Sequence, residues 1–522
     1  MVVAPHRLAA EVGAALLSRG ANAVEAAVAT AAALAVVYPH MNGLGGDSFW
    51  LLAGPGQPPL GLNASGPSGE RLSRELLAAH GLERIPERGS LAACTVPGTV
   101  GGWEALYRYS RRALGGRLAW RELLRPAIAL AREGFPISEG QVRDTRRLLG
   151  ELEALPGAAE LFASVFAPGG RVPEPGAWWR HPELAATLET VAERGADGFY
   201  KGAVGAQIVA HSLLTADDLA RYRPEWVEPL HVAYRGLTAV NLPPNSQGVV
   251  SLEILGILER LPAAGMRRGQ AAHIHWIVEA TKLAFGDRDR YLGDPARMAI
   301  RAAELLAPGH LDGLAARVRA EAALPDAPLS RSGRGDTVWF GAVDARGLAV
   351  SGIQSLYYEF GSGVVAGRTG VVLQNRGVAF SPSSGPNELG PRRKPFHTLN
   401  PAMLLRDGRP YLVYGTMGGE GQPQTQAAVA TRIVDLGMHP AEAVAAPRWL
   451  YGRTWGGDSP GLKLERRFDP AVVRELEALG HACTLVEAWS DLMGHAGAIL
   501  VEGERLLGGA DPRSDGAAIA CD

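Results

Sequence analysis

The chain has 522 residues, of which 47% are hydrophobic and 20% are charged, and its formal net charge is −2. This length suffices for one large layered α/β fold or for several smaller domains. The balanced charge gives no indication of a nucleic-acid partner or of binding to an anionic membrane surface. Glycine (66 residues) and proline (36 residues) are abundant but form no fixed-period repeat, which excludes collagen-like and disordered classes.

Three cysteines, Cys94, Cys483 and Cys521, are too few and too widely spaced for a disulfide framework or a zinc site. We expect the first two to be buried and the third to be a thiol near the terminus. Neither a metal nor a cofactor is predicted. The N-terminal residues lack the basic-then-apolar order of a signal peptide and no apolar run is suited to spanning a bilayer, so a cytoplasmic protein is expected.

The first part of the chain is predicted to be helical. Residues 5–37 form two predicted helices separated at Arg19-Gly20, a pair typical of a helix C-cap followed by a restart. The second helix is a long alanine-rich apolar run and is expected to be buried in the core. A glycine-rich turn over 42–48 then leads into a short buried strand, Phe49–Leu52.

Four later segments show the helical spacing of apolar residues: Trp120–Arg132, Pro182–Arg194, Gln247–Leu261 and Gln270–Phe285. On the last of these, Glu279 and Lys282 are expected on the wetter face. Nearer the C-terminus the pattern predicts strands at Gly370–Leu373, Ala402–Leu405 and Tyr411–Tyr414, and helices at 424–436 and near 469–479. Helices that flank a strand-rich middle predict a layered α/β sandwich.

The segment 321–336 changes character, because it is rich in proline, glycine and serine and has little periodicity. It is predicted to be an exposed connector. Directly after it the pattern predicts a strand over Thr337–Val343, a turn over 344–347 and a second strand over Leu348–Ser355. Thr337 therefore stands at the start of a β-hairpin, at the end of the connector.

A hydroxyl at this position has a specific chemical use. If the bond between Asp336 and Thr337 is cut, Thr337 gains an α-amino group with a pKa near 8, which can accept the proton of its own hydroxyl. The β-branched side chain also restricts χ1 and keeps the oxygen aimed. The same oxygen can attack the Asp336 carbonyl before cleavage. Taken alone, the Asp-Thr pair is weak support, since threonine opens many strands.

Glycine-rich and polar motifs accompany this pair along nearly the whole chain. In the larger part they are Met1–His6, Gly20–Val28, Gly43–Asp47, Val96–Trp103 and Tyr291–Pro295; in the smaller part they are Gly335–Thr337, Phe360–Gly363, Leu373–Gly377, Gly415–Gly419 and Asp511–Gly516. In these motifs the chain resembles the γ-glutamyltranspeptidase family of N-terminal-nucleophile hydrolases. The resemblance implies a four-layer αββα sandwich, with Thr337 as the nucleophile and self-cleavage after Asp336.

According to the same resemblance, cleavage yields a large piece, 1–336, and a small catalytic piece, 337–522, which stay together as one folded unit, with a dimer of such pairs as a further option. Ser355 occupies the position of a family threonine whose hydroxyl hydrogen-bonds the nucleophile. Gly418 and Gly419 match the glycine pair whose backbone N–H groups form the oxyanion hole. For the glycine pair, an ordinary turn after a strand is the structural alternative.

The substrate pocket departs from the family pattern. Where the family has an arginine for the substrate carboxylate, this chain has Asn63, and where it has an aspartate for the α-ammonium, this chain has Ala379. Tyr357 replaces an asparagine, and His397 and Thr398 replace two serines. The loss of both charged partners disfavours a γ-glutamyl substrate.

Arg376 lies in the same pocket-forming stretch, and its planar fork suits a carboxylate. This pattern resembles the amidohydrolase and acylase branch of the family. A structural salt bridge for Arg376 and a structural role for His397 remain the alternatives. The segment Ser381–Lys394 is shorter than the usual lid loop and is expected to leave the pocket open to water, which favours hydrolysis over transfer.

Three hypotheses for function follow. The leading one is a self-processing threonine amide hydrolase that acts on a small carboxylate-bearing amide through an acyl-enzyme on Thr337. The second is a true γ-glutamyltransferase or glutathione hydrolase. The third is an unprocessed, non-catalytic relative with a binding role.

Overall fold

The computed structural model describes residues 1–155, 158–326, 335–452 and 461–521. Its strands are β1 (Val2–Ala4), β2 (Asp47–Gly54), β3 (Gln57–Ala64), β4 (Phe135–Pro136), β5 (Trp178–Trp179), β6 (Glu225–Val227), β7 (Leu230–Tyr234), β8 (Leu237–Asn241), β9 (Asp336–Val343), β10 (Ala349–Tyr357), β11 (Ala402–Arg406), β12 (Arg409–Thr416), β13 (Trp449–Tyr451), β14 (Leu462–Glu465), β15 (Cys483–Val486), β16 (Ala496–Glu502), β17 (Arg505–Ala510) and β18 (Ala517–Ile519).

The α-helices are α1 (Arg7–Ser18), α2 (Ala23–Val37), α3 (Arg74–Ala79), α4 (Thr99–Ala113), α5 (Trp120–Glu133), α6 (Glu139–Leu152), α7 (Ala158–Phe166), α8 (Pro182–Arg194), α9 (Asp197–Tyr200), α10 (Gly202–Ala210), α11 (Ala216–Arg221), α12 (Gly248–Arg260), α13 (Ala263–Met266), α14 (Gln270–Tyr291), α15 (Pro308–Ala315), α16 (Gln422–Val434), α17 (Pro440–Ala445) and α18 (Pro470–Ala478). Within the described residues, none of these helices combines the length and the apolarity needed to cross a membrane.

Two large antiparallel sheets form the centre of the molecule. The first has seven strands in the order β18-β1-β9-β10-β2-β3-β6, and the second has six in the order β17-β16-β12-β11-β8-β7. Both sheets combine strands from the two sides of position 336: β9 pairs with β1 and β10 with β2 in the first sheet, and β11 pairs with β8 in the second. The segments on either side of position 336 are therefore parts of one hydrogen-bonded structure.

Side-chain alternation along β9 explains the layers. Val338 and Phe340 face the helices α2 and α4, whereas Trp339 faces the second sheet and packs with Met403 and Ile499. On the far side of the second sheet, apolar residues of α12, α14 and α16 form a further core. The order helix, sheet, sheet, helix is the predicted four-layer αββα sandwich, which is thus confirmed.

The helix α2 shows how an apolar run becomes a core element. All of its residues are buried, and its N-terminus is closed by a capping box in which Asn22 and Glu25 bond each other's backbone N–H groups. Glu25 also accepts the N–H of Leu118 at 2.8 Å, so its buried carboxylate has polar partners. The buried core helix predicted for this run is confirmed. Three of the four later helices lie within one residue of their predicted bounds, whereas α14 continues beyond the predicted Phe285 to Tyr291.

Some local predictions were wrong. Glu279 and Lys282 are buried rather than on a wet face. They form an ion pair of 3.0 Å, and the backbone of Leu324 donates a hydrogen bond to Glu279 and accepts one from Lys282, so both charges have partners. Gly370–Leu373 contains only isolated bridges rather than a strand. Cys483 is half-buried, whereas Cys94 is fully buried as expected.

The structure describes only part of the predicted connector over 321–336, since residues 327–334 lie outside the described part of the chain. Residues 321–326 are exposed or half-buried, in agreement with the prediction. Gly335 and Asp336 are buried instead, because β9 begins at Asp336 and is an inner strand of the first sheet.

Candidate active site

A β-bulge surrounds the predicted cleavage position. In the β9–β10 hairpin, Val338 pairs with Gln354 and Asp336 pairs with Tyr357, so Thr337 faces two residues of the opposite strand. A bulge of this kind bends the strand and re-aims the side chains next to it. It turns Ser355 towards the carbonyl group that precedes Thr337.

Two hydroxyl groups converge on that carbonyl. Thr337 Oγ1 donates to the carbonyl oxygen of Asp336 at 2.6 Å, and Ser355 Oγ donates to the same oxygen. Ser355 Oγ in turn accepts the backbone N–H of Tyr357 at 2.7 Å. The expected hydrogen bond was one between Ser355 and the Thr337 hydroxyl. In the uncut chain Ser355 is bonded instead to the peptide group that precedes Thr337.

The glycine pair lies against the same segment. Gly418 and Gly419 follow β12 with φ angles of 134° and 53°, which favour residues without a Cβ atom. A Cβ atom added to Gly335 would lie 2.8 Å from the Cα atom of Gly419. Among the residues that the structure describes, neither N–H of the pair donates a hydrogen bond.

Gln247 connects this glycine pair to the predicted pocket. Its Nε2 atom donates to the carbonyl oxygens of Gly419 at 3.0 Å and of Thr398 at 2.7 Å. Gln247 is completely buried and immediately precedes α12. It was not identified from the sequence, because a glutamine at the start of a helix carries no pattern that distinguishes it.

Arg376 is a buried cation that feels the charge of Asp47 but forms no ion pair with it. Its guanidinium carbon lies 3.8 Å from the centre of the Tyr357 ring, and Nη1 donates to Thr398 Oγ1 at 3.2 Å. Within the described part of the chain, Nε and Nη2 have no hydrogen-bond partner and no carboxylate forms an ion pair with Arg376. Burial lowers the pKa of Arg376 to about 10, so the group is still charged at neutral pH.

His397 is held by the protein through both ring nitrogens. Nε2 lies 3.1 Å from Asp47 Oδ2, and Nδ1 accepts the backbone N–H of Leu399 at 3.3 Å. Burial, together with the positive charge of Arg376, keeps the pKa of His397 well below its usual value, so the ring is neutral. This arrangement agrees with the structural alternative for His397.

Asp47 is the second residue that the sequence did not single out, although it closes the glycine-rich turn. Its carboxylate accepts the N–H groups of Gly66 and Gly98 and the side-chain amide of Gln374. Burial raises the pKa of Asp47 to about 7, although the positive charge of Arg376 opposes this change. Asp47 thus joins the glycine-rich turn, the His397 ring and, through Gln374, the segment that carries Arg376 into one polar cluster.

Asn63 lies at the edge of this cluster, and its side-chain amide forms hydrogen bonds with other residues of the protein. Nδ2 donates to Asn245 Oδ1 at 2.9 Å, and Oδ1 accepts the N–H and the hydroxyl of Ser65. Of the five substrate-binding residues predicted, Arg376 contacts two others, Tyr357 and Thr398, directly. Asn63 and His397 make their side-chain hydrogen bonds to other residues.

An open cavity of about 510 Å³ lies next to the cluster, and its lining includes Tyr358, Ala379, Ser381, Glu420 and Arg288. Ser381 and Asn387, in the segment Ser381–Lys394, contribute to this lining, and the expectation that the segment leaves the substrate pocket open to water stays a prediction. Thr337 and Arg376 are themselves at most 1% exposed. Neither Thr337 nor Arg376 is among the residues that line the cavity in the uncut chain.

The side chain of Asp336 faces away from this cavity into a buried acidic region. Both carboxyl oxygens lack a hydrogen-bond partner among the described residues. Burial, with the nearby carboxyls of Glu359 and Asp144, raises the pKa of Asp336 well above its usual value. Burial therefore favours the neutral form of the Asp336 carboxyl while the chain is intact.

The comparisons with known proteins agree on one family. The family model of γ-glutamyltranspeptidase matches residues 9–521. The chain is 46% identical over 528 residues to the oxamate amidohydrolase proenzyme of Klebsiella pneumoniae, with 99% of this chain and 98% of the relative covered. It is 44% identical over 527 residues to the glutathione hydrolase-like YwrD proenzyme of Bacillus subtilis, with the same coverage.

A solved structure gives the same result. Cephalosporin acylase from Bacillus halodurans superposes with a TM-score of 0.91 at 34% identity, and the match covers 100% of this chain and 95% of that chain. The structural match and the sequence matches therefore both extend over nearly the whole chain. The chain belongs to the γ-glutamyltranspeptidase family of N-terminal-nucleophile hydrolases.

Proposed function

We propose that this enzyme is a self-processing threonine amidohydrolase whose substrate is a small amide with a carboxylate on its acyl part. The observation that carries the proposal is Arg376, a buried cation that stacks on Tyr357 and forms no ion pair with a carboxylate of the described residues. A buried charge without a partner is costly, and a substrate carboxylate would supply that partner through two parallel hydrogen bonds.

The first step is self-cleavage. Thr337 Oγ1 attacks the Asp336 carbonyl carbon, the C–N bond of the peptide breaks, and the proton of the hydroxyl passes to the departing amine. Ser355, which already donates to the carbonyl oxygen, stabilises the negative charge that develops there. Water then hydrolyses the resulting ester, which leaves a large piece, 1–336, and a small piece, 337–522, paired through the two central sheets.

In the mature enzyme, the free α-amine of Thr337 accepts the proton of the Thr337 hydroxyl as this attacks the substrate amide. The N–H groups of Gly418 and Gly419 hold the oxyanion, and such donors contribute about 3–4 kcal/mol each to transition-state stabilisation. Water releases the acyl group from Thr337. No step in this sequence requires a cofactor.

The substrate class follows from the charges around the pocket. A γ-glutamyl group carries an α-ammonium as well as an α-carboxylate, and position 379, where an acidic partner is expected, is alanine. An acyl group with a carboxylate and no ammonium leaves no charge unpaired. The oxamate amidohydrolase name of one relative is consistent with this class.

Two assays separate this proposal from its alternatives. Purified enzyme is incubated with oxamate and, separately, with a γ-glutamyl anilide. Consumption of oxamate without turnover of the anilide is expected, whereas turnover of the anilide alone would establish the glutathione-hydrolase alternative.

Processing is tested on a denaturing gel. The wild-type chain should give two bands of unequal size, and Thr337→Ala a single band of 55.0 kDa. A single band from active wild-type material would refute the mechanism. Cleavage of the Thr337→Ala chain at the same bond would show that another protease cuts it.

A further inference from the structure

Three helices outside the active site bring one histidine and two carboxylates together. Glu253 lies on α12, Asp287 on α14 and His310 on α15. Nε2 of His310 is 2.7 Å from Asp287 Oδ2 and 3.3 Å from Glu253 Oε1. One potential ligand atom from each residue lies within 4.8 Å of the others.

The charges in this cluster are not balanced. Glu253 is completely buried, and its Oε2 atom has no hydrogen-bond partner among the described residues. In that part of the chain no lysine or arginine pairs with either carboxylate, and His310 is their one basic neighbour.

We propose that Glu253, Asp287 and His310 bind a divalent transition-metal ion of the Zn²⁺ type. One imidazole nitrogen and two carboxylate oxygens form a common ligand set for such ions, with metal–ligand distances of about 2.0–2.2 Å. Two ligands of a tetrahedral ion are then about 3.3 Å apart. The observed separations need only small side-chain movements to reach this value. His310 and Asp287 are partly exposed, which gives the ion an entry path and room for water.

The proposed ion has a structural role, and two of its ligands lie on helices that support the Gly418–Gly419 pair. The helix that carries Glu253 begins directly after Gln247, which holds the carbonyl oxygen of Gly419. Arg288, the residue after Asp287, forms an ion pair of 3.1 Å with Glu420. An ion that joins α12, α14 and α15 would stiffen both supports of the glycine pair.

A second group of potential ligands, His275, Glu279 and His481, is less suited to an ion. Glu279 is already paired with the buried ammonium of Lys282 at 3.0 Å, and this positive charge would repel a metal. Both nitrogens of His275 are also engaged, by His481 and by the carbonyl oxygen of Arg319. This group therefore serves as an internal control.

The test measures metal retention and thermal stability rather than activity. Wild-type protein is freed of metal with a chelator, loaded with Zn²⁺, desalted and analysed for bound metal, and its affinity is measured by calorimetry. We expect one Zn²⁺ per chain and a higher melting temperature with Zn²⁺ than without it. Glu253→Gln and His310→Asn should each weaken binding by at least about 100-fold and lose the shift in melting temperature.

His80→Asn, at an exposed histidine, and His481→Asn are the matched controls and should bind like the wild type. His310 is partly exposed, so its variant should fold even if the buried Glu253 variant does not, and circular dichroism without metal verifies both. Wild-type protein that retains no Zn²⁺ would overturn the proposal. Wild-type affinity in His310→Asn, or loss of binding in His481→Asn, would overturn it as well.

Discussion

The guanidinium of Arg376 stacks on the ring of Tyr357, and the backbone of Tyr357 pairs with Asp336 across the β9–β10 bulge. The predicted carboxylate-binding group is thus connected to the predicted cleavage site through a single residue. Tyr357 has a φ angle of 83°, an uncommon conformation for a large side chain, and it is held there in the bulge. This relationship places recognition and chemistry at the same end of one hairpin.

Arg376→Gln should abolish most of the activity without preventing self-cleavage. Removing two charge-assisted hydrogen bonds to the substrate costs about 3–4 kcal/mol, which corresponds to a loss of about 100- to 1,000-fold in kcat/KM for a carboxylate-bearing amide. Steady-state kinetics on oxamate measures this change. Arg392→Gln, at an arginine that pairs with Glu70 on the surface, is the matched control and should retain wild-type kinetics.

The same Arg376→Gln variant should be more stable than the wild type, because the uncompensated buried cation is removed. Thermal unfolding of both proteins in the Thr337→Ala background, where no chain is cut, measures the difference. A lower melting temperature for the glutamine variant would indicate that Arg376 has a structural partner after all.

Gly335→Ala should slow self-cleavage by at least about tenfold. An added Cβ atom would lie 2.8 Å from the Cα atom of Gly419, so the backbone before the cleavage site has to move away from its aligned position. A time course of band formation on a denaturing gel measures the rate. Once cleaved, the variant should have a normal kcat, since residue 335 then belongs to the released end; a reduced kcat would assign Gly335 to the mature site.

Asp336→Asn should stabilise the uncut chain increasingly as the pH rises. The pKa of the Asp336 carboxyl is raised in the folded state, so the unfolded chain releases this proton first, and the fold loses stability as the pH rises above the ordinary value of 3.8. Asparagine does not titrate and avoids this loss. Melting temperatures of Thr337→Ala with and without Asp336→Asn, measured from pH 5 to pH 8, should diverge, whereas a constant difference would contradict this account.

The KM for a carboxylate-bearing amide should increase as the pH rises through 7. The pKa of Asp47 is about 7, so above this pH Asp47 becomes negatively charged near Arg376 and competes with the substrate carboxylate. Over the same range kcat should increase, because the α-amine of Thr337, with a pKa near 8, loses its proton. In Asp47→Asn the trend in KM should disappear while the trend in kcat persists.

Periodicity and turn residues determined much of the architecture. The apolar run of α2, the alternation along β9 and the turn before β10 are local signals, and each depends on residues close together in the chain. The ordered motifs from Met1 to Gly516 indicated the family, and the family match confirms it. The roles of Thr337, Ser355 and the glycine pair stay predictions.

The remaining features depend on residues that are far apart in the chain. The Lys282–Glu279 pair is buried because the segment around Leu324 covers it, and helical spacing alone does not contain that information. In the same way, the bulge that turns Ser355 to the Asp336 carbonyl, the contact of Gly335 with Gly419, and the meeting of Glu253 with His310 across 57 positions exist only once the layers are packed. Local patterns fix which elements form, whereas the geometry of a site is set by how distant elements pack, and tertiary packing decided it here.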